Sequence, residues 1–391
     1  MRLETITTLL MSAALLPVSP ACAATHQTDG AKPMTVYVGT YTGEKSKGIY
    51  QFRLEAGEPP RLAPAGLAAE ANSPAFLQAD PKRHFLFAVN EAPTFEGKPT
   101  GAVSSFQLDP ASGKLTLLNT VPSKGAGPCH LCLDKTGRSL VVANYNSGSV
   151  AVIKVQPDGH LGEATDFIQH TGSSVNRQRQ EGPHAHCAIL DRANRFAFIC
   201  DLGLDKILIY RFDPERGKLT PNEPAFATVK PGAGPRHMTF RPDGKFAYVI
   251  NEMASSVTAF AYNSGSGALT EVQTISTLPK DFNGHNSGAE IAVHPNGKFL
   301  YASNRGRDSV AIFKLEPDKG TLERIGEQPG GGKTPRHFGI DPSGKYLAIA
   351  NQNSGNILLC AIDDSTGLLK PSSVLADAPS PVCVLFLPPS L

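Results

Sequence analysis

A short pattern recurs along the chain and constrains its fold more than any other feature. A segment of the type Asp-Pro-Ser-Gly-Lys is followed by an apolar run that ends at a polar marker, most clearly in 241–251, 294–304 and 341–351. The markers, including weaker copies, are Gly39, Asn90, Asn144, Asp201, Asn251, Asn304 and Asn351. Successive markers lie 47 to 57 residues apart. Seven copies at this period predict an all-β fold, a seven-bladed β-propeller with one blade per copy.

Each period divides into four strands, which predicts four-stranded antiparallel blades. The Pro and Gly of 341–345 form a turn, because proline presets φ and glycine accepts positive φ. The apolar run to Asn90 is followed by two further strand-like runs, 102–108 and 115–121, joined by the turn residues 109–114. Short strands separated by such turns are typical of blades.

The two ends of the repeat region complement each other. The first period lacks its first strand, and the chain ends with a spare one, 380–386, whose sequence resembles 73–77. We therefore expect the C-terminal strand to complete the first blade and close the ring, which removes two open sheet edges.

The first thirty residues have the composition of a targeting segment. An apolar run, 9–18, precedes Ala21-Cys22-Ala23, a plausible cleavage site. The prediction is a signal peptide over 1–23, a flexible segment over 24–33 and the propeller domain over 34–391, in a protein exported to the periplasm or outside the cell. A start at Met34 after a vestigial leader and a lipoprotein anchored at Cys22 are the alternatives. No other window reaches the roughly 18 apolar residues that a membrane span needs.

Charge and cysteine content exclude several classes of function. Lys plus Arg (37) and Asp plus Glu (35) nearly balance, so neither nucleic acid nor an anionic membrane is an expected partner. The six cysteines that follow Cys22 are interpreted as buried small hydrophobic residues rather than disulfides. We expect a monomer or weak dimer, no cofactor and no metal.

Polar residues collect where the innermost strand of each blade begins and the second strand ends, two positions on the same face of a propeller. At the inner-strand starts stand His130, His184, His186, Arg236, His237, Glu290, Arg336 and His337; at the second-strand ends stand Glu252, Arg305 and Gln352. Each alone is compatible with a structural role, and the marker asparagines are best explained as hydrogen-bonding groups at blade ends. However, repetition does not account for differences at equivalent positions, as between His186 and Arg236. These differences favour a functional site on one rim.

Several of these segments resemble one family. Gly182–His186, Gly234–His237, Asn251-Glu252, 289–291, 304–306, 334–338 and Asn351-Gln352 are similar to the seven-bladed lactonase family. That family includes propeller-type 6-phosphogluconolactonases and carboxymuconate-cyclising enzymes. The resemblance spans residues 34–388 and implies a catalytic set of one histidine of Pro-His-x-His with Arg236, Glu252 and Arg305. It does not choose between His184 and His186; the repeat alignment favours His186.

Lactone opening requires an activated water, a group that stabilises the oxyanion, and a clamp for an anionic substrate. Glu252 or His186 would be the general base, and arginines would stabilise the oxyanion and hold the anion. Substrate contacts are predicted for His130, His184, His237, Glu290, Arg336 and His337. Because Glu252 and Arg305 end strands, we expect both to be exposed.

Three questions stay open from the sequence. A leader puts a phosphorylated substrate in doubt, since the phosphogluconolactonases in question act in the cytoplasm. A calcium-dependent lactonase using the marker asparagines is one alternative. A non-catalytic exported propeller that binds a ligand or a protein is the other.

Overall fold

The computed structural model describes Met1 and residues 34–388, apart from positions 58 and 83. This part of the chain contains β-strands and no helix, and its strands form seven four-stranded antiparallel sheets. No helix with the length and hydropathy of a membrane span occurs among these residues. The predicted signal peptide, 1–23, and flexible segment, 24–33, lie outside the described residues.

The strands follow the predicted order, beginning with the second strand of the first blade. Blade 1 starts with β1 (Met34–Thr40), β2 (Gly48–Glu55) and β3 (Arg61–Glu70). Blade 2 has β4 (Pro74–Ala79), β5 (Phe85–Asn90), β6 (Ala102–Leu108) and β7 (Leu115–Pro122). Blade 3 has β8 (Pro128–Leu133), β9 (Ser139–Asn144), β10 (Ser149–Val155) and β11 (Leu161–Gln169). Blade 4 has β12 (Ala185–Leu190), β13 (Phe196–Asp201), β14 (Lys206–Asp213) and β15 (Lys218–Thr228).

The remaining strands continue in the same groups of four, from the axis outward. Blade 5 has β16 (Pro235–Phe240), β17 (Phe246–Asn251), β18 (Ser256–Tyr262) and β19 (Leu269–Ser276). Blade 6 has β20 (Ser287–Val293), β21 (Phe299–Arg305), β22 (Ser309–Leu315) and β23 (Leu322–Pro329). Blade 7 has β24 (Pro335–Ile340), β25 (Tyr346–Asn351), β26 (Asn356–Ile362) and β27 (Leu369–Asp377). The last strand is β28 (Pro381–Leu387).

The C-terminal strand closes the ring, as predicted. β28 pairs antiparallel with β1, with Val38 opposite Val384 and Thr35 opposite Leu387, and is the innermost strand of blade 1. It also contacts the innermost strands of both neighbouring blades, β24 and β4. The first and last parts of the described chain therefore share one sheet.

The hydrophobic core is divided among the blade boundaries. Seven clusters of buried side chains each join two neighbouring blades. Both faces of a blade are covered in this way, so the second strands are apolar on both sides; every residue of β17 is buried. This explains why the strand before each marker reads as a continuous apolar run.

Four of the five marker asparagines link consecutive blades, whereas Asn251 donates to Ser256 and Thr258 of its own blade. In blades 2, 3, 6 and 7 the Nδ2 group of the marker donates to the carbonyl of a residue that follows the outermost strand of the preceding blade. These pairs are Asn90 with Asn72, Asn144 with Ser123, Asn304 with Thr277 and Asn351 with Gly330, at 2.8, 3.2, 3.2 and 2.8 Å. Their repetition is thus accounted for by structure.

The six cysteines of the described chain carry free thiols. Five are buried, whereas Cys132 is partly exposed. Burial raises the pKa of Cys132 and Cys383 to about 12. These thiols therefore remain protonated at neutral pH and pack as small apolar groups.

Candidate active site

Each innermost strand has a register shift near its start. In β12, β16 and β24 the bulged residues are His186, Arg236 and Arg336. A β-bulge re-aims a side chain relative to a regular strand. The register places these three residues at one repeat position, in agreement with the repeat alignment, whereas His184 precedes β12.

The carboxylate of Glu252 is bound by three arginines. Its Oε2 accepts from Nε of Arg236 at 3.0 Å and from Nη2 of Arg305 at 2.8 Å. Its Oε1 accepts from Nη2 of Arg179 at 2.7 Å. The structure therefore brings together three of the four residues implied by the family resemblance and adds a fourth, Arg179.

Glu252 is only 6% exposed, and burial alone would raise its pKa. The charges of Arg305 and Arg236 and the hydrogen bond from Arg179 outweigh burial and lower the pKa to about 2. The expectation that Glu252 and Arg305 are exposed is wrong, because both side chains turn into the ion cluster rather than into solvent. A carboxylate with so low a pKa is a weak base.

Arg236 and Arg305 are also fixed by backbone carbonyls at the start of β20, the inner strand of blade 6. Nη1 of Arg236 donates to the carbonyl of Ala289 at 2.8 Å, and Nη2 of Arg305 donates to that of Gly288 at 2.9 Å. Burial lowers the pKa of Arg305 to about 10, so its guanidinium stays charged at neutral pH. The start of β20 thus holds the cationic part of the site.

His186 is buried among these groups. Burial, then the charges of Arg236 and His237, hold its pKa well below its usual range, so the imidazole is neutral at neutral pH. Its Nδ1 lies 3.8 Å from Sγ of Cys129, and its ring meets the rings of Tyr145 and His237 edge-on at 5.3 and 5.1 Å. The neutral imidazole has a lone pair that is able to accept a proton from water, although the neighbouring guanidinium charges lower its basicity.

His184 occupies a different environment, closer to solvent. Its ring stacks on that of Tyr145 at 4.6 Å, and its Nδ1 lies 3.1 Å from the carbonyl oxygen of the same residue. Its Nε2 lies 3.6 Å from the exposed carboxylate of Glu181. These contacts place it at the edge of the site.

Arg336 is near the ion cluster but is not paired in it. Among the described residues, no carboxylate lies within 4.0 Å of its guanidinium. Its guanidinium lies 5.3 Å from the ring centre of Tyr41, whose hydroxyl donates to Glu91 at 2.9 Å. Arg336 is therefore the rim arginine whose charge is most available to an anion.

The other predicted contact residues form a second cluster, one position further along the inner strands. Oε2 of Glu290 lies 3.0 Å from Nδ1 of His237 and 3.2 Å from Nε2 of His337, which joins blades 5, 6 and 7. Burial lowers the pKa of His337 to about 4. His130 packs against Phe76 and His237, with ring centres 4.0 and 5.1 Å apart. Most of these polar groups are satisfied by one another, and their contact with a substrate stays a prediction.

Sequence reasoning missed Arg179, Tyr145, Tyr41 and Glu91 as site residues. Tyr145 and Glu91 directly follow the markers of their blades, which is also the repeat position of Glu252 and Arg305. This shared position could have identified them as site residues. Arg179 lies in the segment between β11 and β12, where the repeat provides no aligned copy. Its side chain is 44% exposed, and it also donates to the hydroxyl of Tyr145 at 3.2 Å.

The arrangement is suited to stabilising negative charge. Three guanidinium groups share one carboxylate, and a neutral imidazole lies beside them. Preorganised cations in a buried site stabilise an oxyanion more strongly than water does. Among residues 34–388, positions 58 and 83 aside, no three His, Cys, Asp or Glu side chains are grouped to hold a metal ion.

Comparison with known proteins agrees with the fold. A family model described as lactonase, 7-bladed beta-propeller, matches residues 35–386. The 6-phosphogluconolactonase of Bacillus subtilis (strain 168) is 37% identical over 90% of this chain and 97% of its own length, and that of Formosa agariphila is 35% identical over 86% and 94%. The structure of the periplasmic gluconolactonase of Pseudomonas aeruginosa has a TM-score of 0.85 at 33% identity, covering 91% of this chain and 99% of its own. This protein therefore belongs to the lactonase family of seven-bladed β-propellers.

Proposed function

We propose that this protein hydrolyses an anionic sugar-type lactone at the rim that contains His186, Arg236, Glu252 and Arg305. The observation that carries the proposal is the buried, neutral imidazole of His186 within reach of the charges of Arg236 and Arg305, both of which bind the carboxylate of Glu252. The relatives named 6-phosphogluconolactonase and periplasmic gluconolactonase support the reaction class.

His186 is assigned as the general base in preference to Glu252. Both oxygens of Glu252 already accept from arginines, and its pKa of about 2 makes proton uptake unfavourable. The pKa of His186 is also lowered, but its neutral form has a lone pair, and in the described part of the chain its ring nitrogens make one hydrogen-bond contact, the long one to the Cys129 thiol. Glu252 then acts as the anion that positions Arg236 and Arg305.

The reaction proceeds by attack of water on the lactone carbonyl. The water oxygen bonds to the carbonyl carbon while His186 takes up a proton, and the guanidinium groups of Arg236 and Arg305 stabilise the oxyanion. When the tetrahedral intermediate collapses, the bond between carbonyl carbon and ring oxygen breaks. The proton on His186 passes to that oxygen. The product is an open-chain hydroxy acid, and the enzyme returns to its starting protonation state.

The anionic substituent of the substrate is assigned to Arg336, supported by its unpaired guanidinium. We also propose export, supported by the predicted leader and by the relative named as periplasmic. Acid release from glucaro-1,4-lactone or from the 6-phosphate of glucono-1,5-lactone distinguishes a carboxylate from a phosphate as this anionic substituent.

The test is acid release in a pH-stat with glucono-1,5-lactone, its 6-phosphate and glucaro-1,4-lactone, each corrected for spontaneous hydrolysis. The wild-type protein should release acid from at least one of them. His186→Asn should lower kcat by roughly a hundredfold or more, whereas Gln352→Ala, at the repeat position of Glu252, should match the wild type. Saturable binding without acid release would instead show a non-catalytic binding propeller.

A further inference from the structure

Blade 4 has an aspartate at the position where four other blades use an asparagine to link to the preceding blade. In blades 2, 3, 6 and 7 a marker asparagine donates its Nδ2 hydrogen to the preceding blade. The marker of blade 4 is Asp201, whose side chain has no N–H group to donate. Blade 4 is also the blade whose inner strand begins at the Pro-His-x-His segment.

The link at blade 4 runs in the reverse direction. His170 follows the outermost strand of blade 3, and its Nδ1 lies 2.7 Å from Oδ2 of Asp201, to which it donates. Their side chains are 2% and 0% exposed. The His170 ring lies parallel to that of Tyr210, with ring centres 6.3 Å apart. This pair fixes the carboxylate of Asp201 without using its second oxygen.

The second oxygen of Asp201 holds the segment that leads into the inner strand. Oδ1 accepts from the backbone N–H of His184 at 2.8 Å and from that of Gly203 at 3.1 Å. The N–H of Leu202 donates in return to the carbonyl of His184 at 2.9 Å. A Cβ at Gly203 would lie 1.9 Å from the carbonyl oxygen of Gly182, so the two backbones are in close contact.

In the other described blades, the matching oxygen accepts from no backbone N–H of the segment before the inner strand. Oδ1 of Asn144, Asn251 and Asn351 has no hydrogen-bond partner among the described residues. Oδ1 of Asn90 accepts from the hydroxyl of Ser104 at 2.7 Å. Oδ1 of Asn304 accepts from the hydroxyl of Thr277 at 2.7 Å and from the side-chain amide of Asn286, which precedes β20, at 3.0 Å. A link between blades thus requires neither an aspartate nor a bond to the inner-strand start.

We propose that Asp201 is a positioning residue for the catalytic histidine. By accepting from the His184 amide, Asp201 sets where β12 begins and hence where the bulged His186 side chain points, and His170 holds the carboxylate in place. Small displacements of a catalytic group reduce kcat strongly. The inference rests on the proposed function of His186.

Three variants separate positioning from stability. Asp201→Ala removes both acceptors. Asp201→Asn keeps one oxygen that is able to face the His184 amide. The double variant His170→Phe, Asp201→Leu replaces both partners of the buried pair by apolar groups, so that neither side chain is left unpaired while the His184 amide loses its acceptor.

We expect Asp201→Ala to lower kcat by about tenfold or more, with KM changed by less than about threefold. Asp201→Asn should retain most of the activity. The double variant should melt near the wild type and still have the low kcat of Asp201→Ala. If kcat instead follows the melting temperature through the series, the role is structural only and the proposal is wrong.

Hydrogen exchange measured by mass spectrometry provides a readout that does not need a substrate. The amides of 182–186 should exchange faster in Asp201→Ala and in the double variant than in the wild type. Asn351→Ala, which breaks the equivalent link of blade 7, should leave their exchange unchanged. Unchanged exchange in Asp201→Ala would overturn the positioning role even if the protein is a lactonase. Absence of lactonase activity in the wild type, with faster exchange in the variant, would contradict the proposed function alone.

Discussion

Glu252 and Arg305 stand at the same position of the repeat, directly after the markers of blades 5 and 6, and they form an ion pair across the blade boundary, with Nη2 of Arg305 2.8 Å from Oε2 of Glu252. Two copies of one position have thus acquired opposite charges that meet. Exact repetition would place two identical side chains at this boundary. The chain has a carboxylate on one side and a guanidinium on the other, so the rim carries opposite charges there. The guanidinium groups of Arg236 and Arg179 bind the same carboxylate.

The substitution Glu252→Gln should affect both stability and activity. It keeps the shape of the side chain but leaves the surrounding guanidinium groups without their anion. Breaking a buried ion pair by removing one charge costs about 3–5 kcal/mol in the free energy of unfolding. We expect a loss of this size in urea titrations, and kcat for lactone hydrolysis lower by about a hundredfold in the folded fraction.

Gln352→Ala is the matched control, since Gln352 occupies the same repeat position in blade 7 and has no part in the ion cluster. It should leave kcat unchanged and cost less than about 1 kcal/mol. If Glu252→Gln is as stable as the wild type but loses most of its kcat, the ion-cluster role is wrong and Glu252 is the general base.

The same ion cluster predicts a dependence of stability on pH. The pKa of Glu252 is lowered from an ordinary 4.5 to about 2 in the folded state. Its ionised form therefore stabilises the fold fully above about pH 4.5 and progressively less as the pH falls towards about 2. The difference in unfolding free energy between wild type and Glu252→Gln should shrink by about 3 kcal/mol across this range. A difference that stays constant down to about pH 2.5 would contradict the lowered pKa.

Repetition made the fold predictable, because each copy of the pattern encodes the same four strands and the spare strand at the C-terminus matches the missing one at the start. The site was predictable to the extent that it lies on repeat positions. The residue changes from blade to blade at the position shared by His186 and Arg236 and at that shared by Glu252 and Arg305, and this variation indicated function.

Site residues outside the repeat could not be predicted in this way. Arg179 reaches Glu252 from a segment with no equivalent, and no spacing in the sequence indicates how that segment folds back. The burial of Glu252 was also missed, because an isolated glutamate at a strand end is ordinarily solvated. Its burial depends on three arginines from separate parts of the chain, and only the folded ring brings them together.

Ring closure predicts a large effect of truncation. Deleting residues from Ser380 onward removes β28, whose buried side chains include Val382, Cys383 and Phe386, and exposes an edge of β1. Each buried apolar side chain contributes about 1.5–3 kcal/mol, so the loss approaches the whole margin of roughly 5–15 kcal/mol. The truncated chain should lose its cooperative thermal transition or melt far below the full-length protein. Deletion of residues 389–391 alone is the control, and equal melting of the longer deletion would disprove closure by β28.

Removal of divalent cations should leave the enzyme unchanged. The proposed reaction uses an imidazole, guanidinium groups and a carboxylate, and the grouping of His, Cys, Asp and Glu in the described residues offers no metal site. After exhaustive dialysis against EDTA, we expect the same melting temperature and the same rate of acid release. Loss of activity that calcium restores would contradict this and would assign the marker asparagines to a metal.

Arg336→Lys should weaken the binding of anionic lactones selectively. Lysine keeps the positive charge but loses the planar fork that binds a carboxylate or phosphate through two hydrogen bonds. Because Arg336 has no carboxylate partner in the described chain, its loss should leave the ion cluster at Glu252 intact and kcat within about twofold of the wild type. KM for glucaro-1,4-lactone or the 6-phosphate should rise by about tenfold, while KM for uncharged glucono-1,5-lactone should barely change. An equal rise for charged and uncharged lactones would show that Arg336 shapes the site without binding the anionic group.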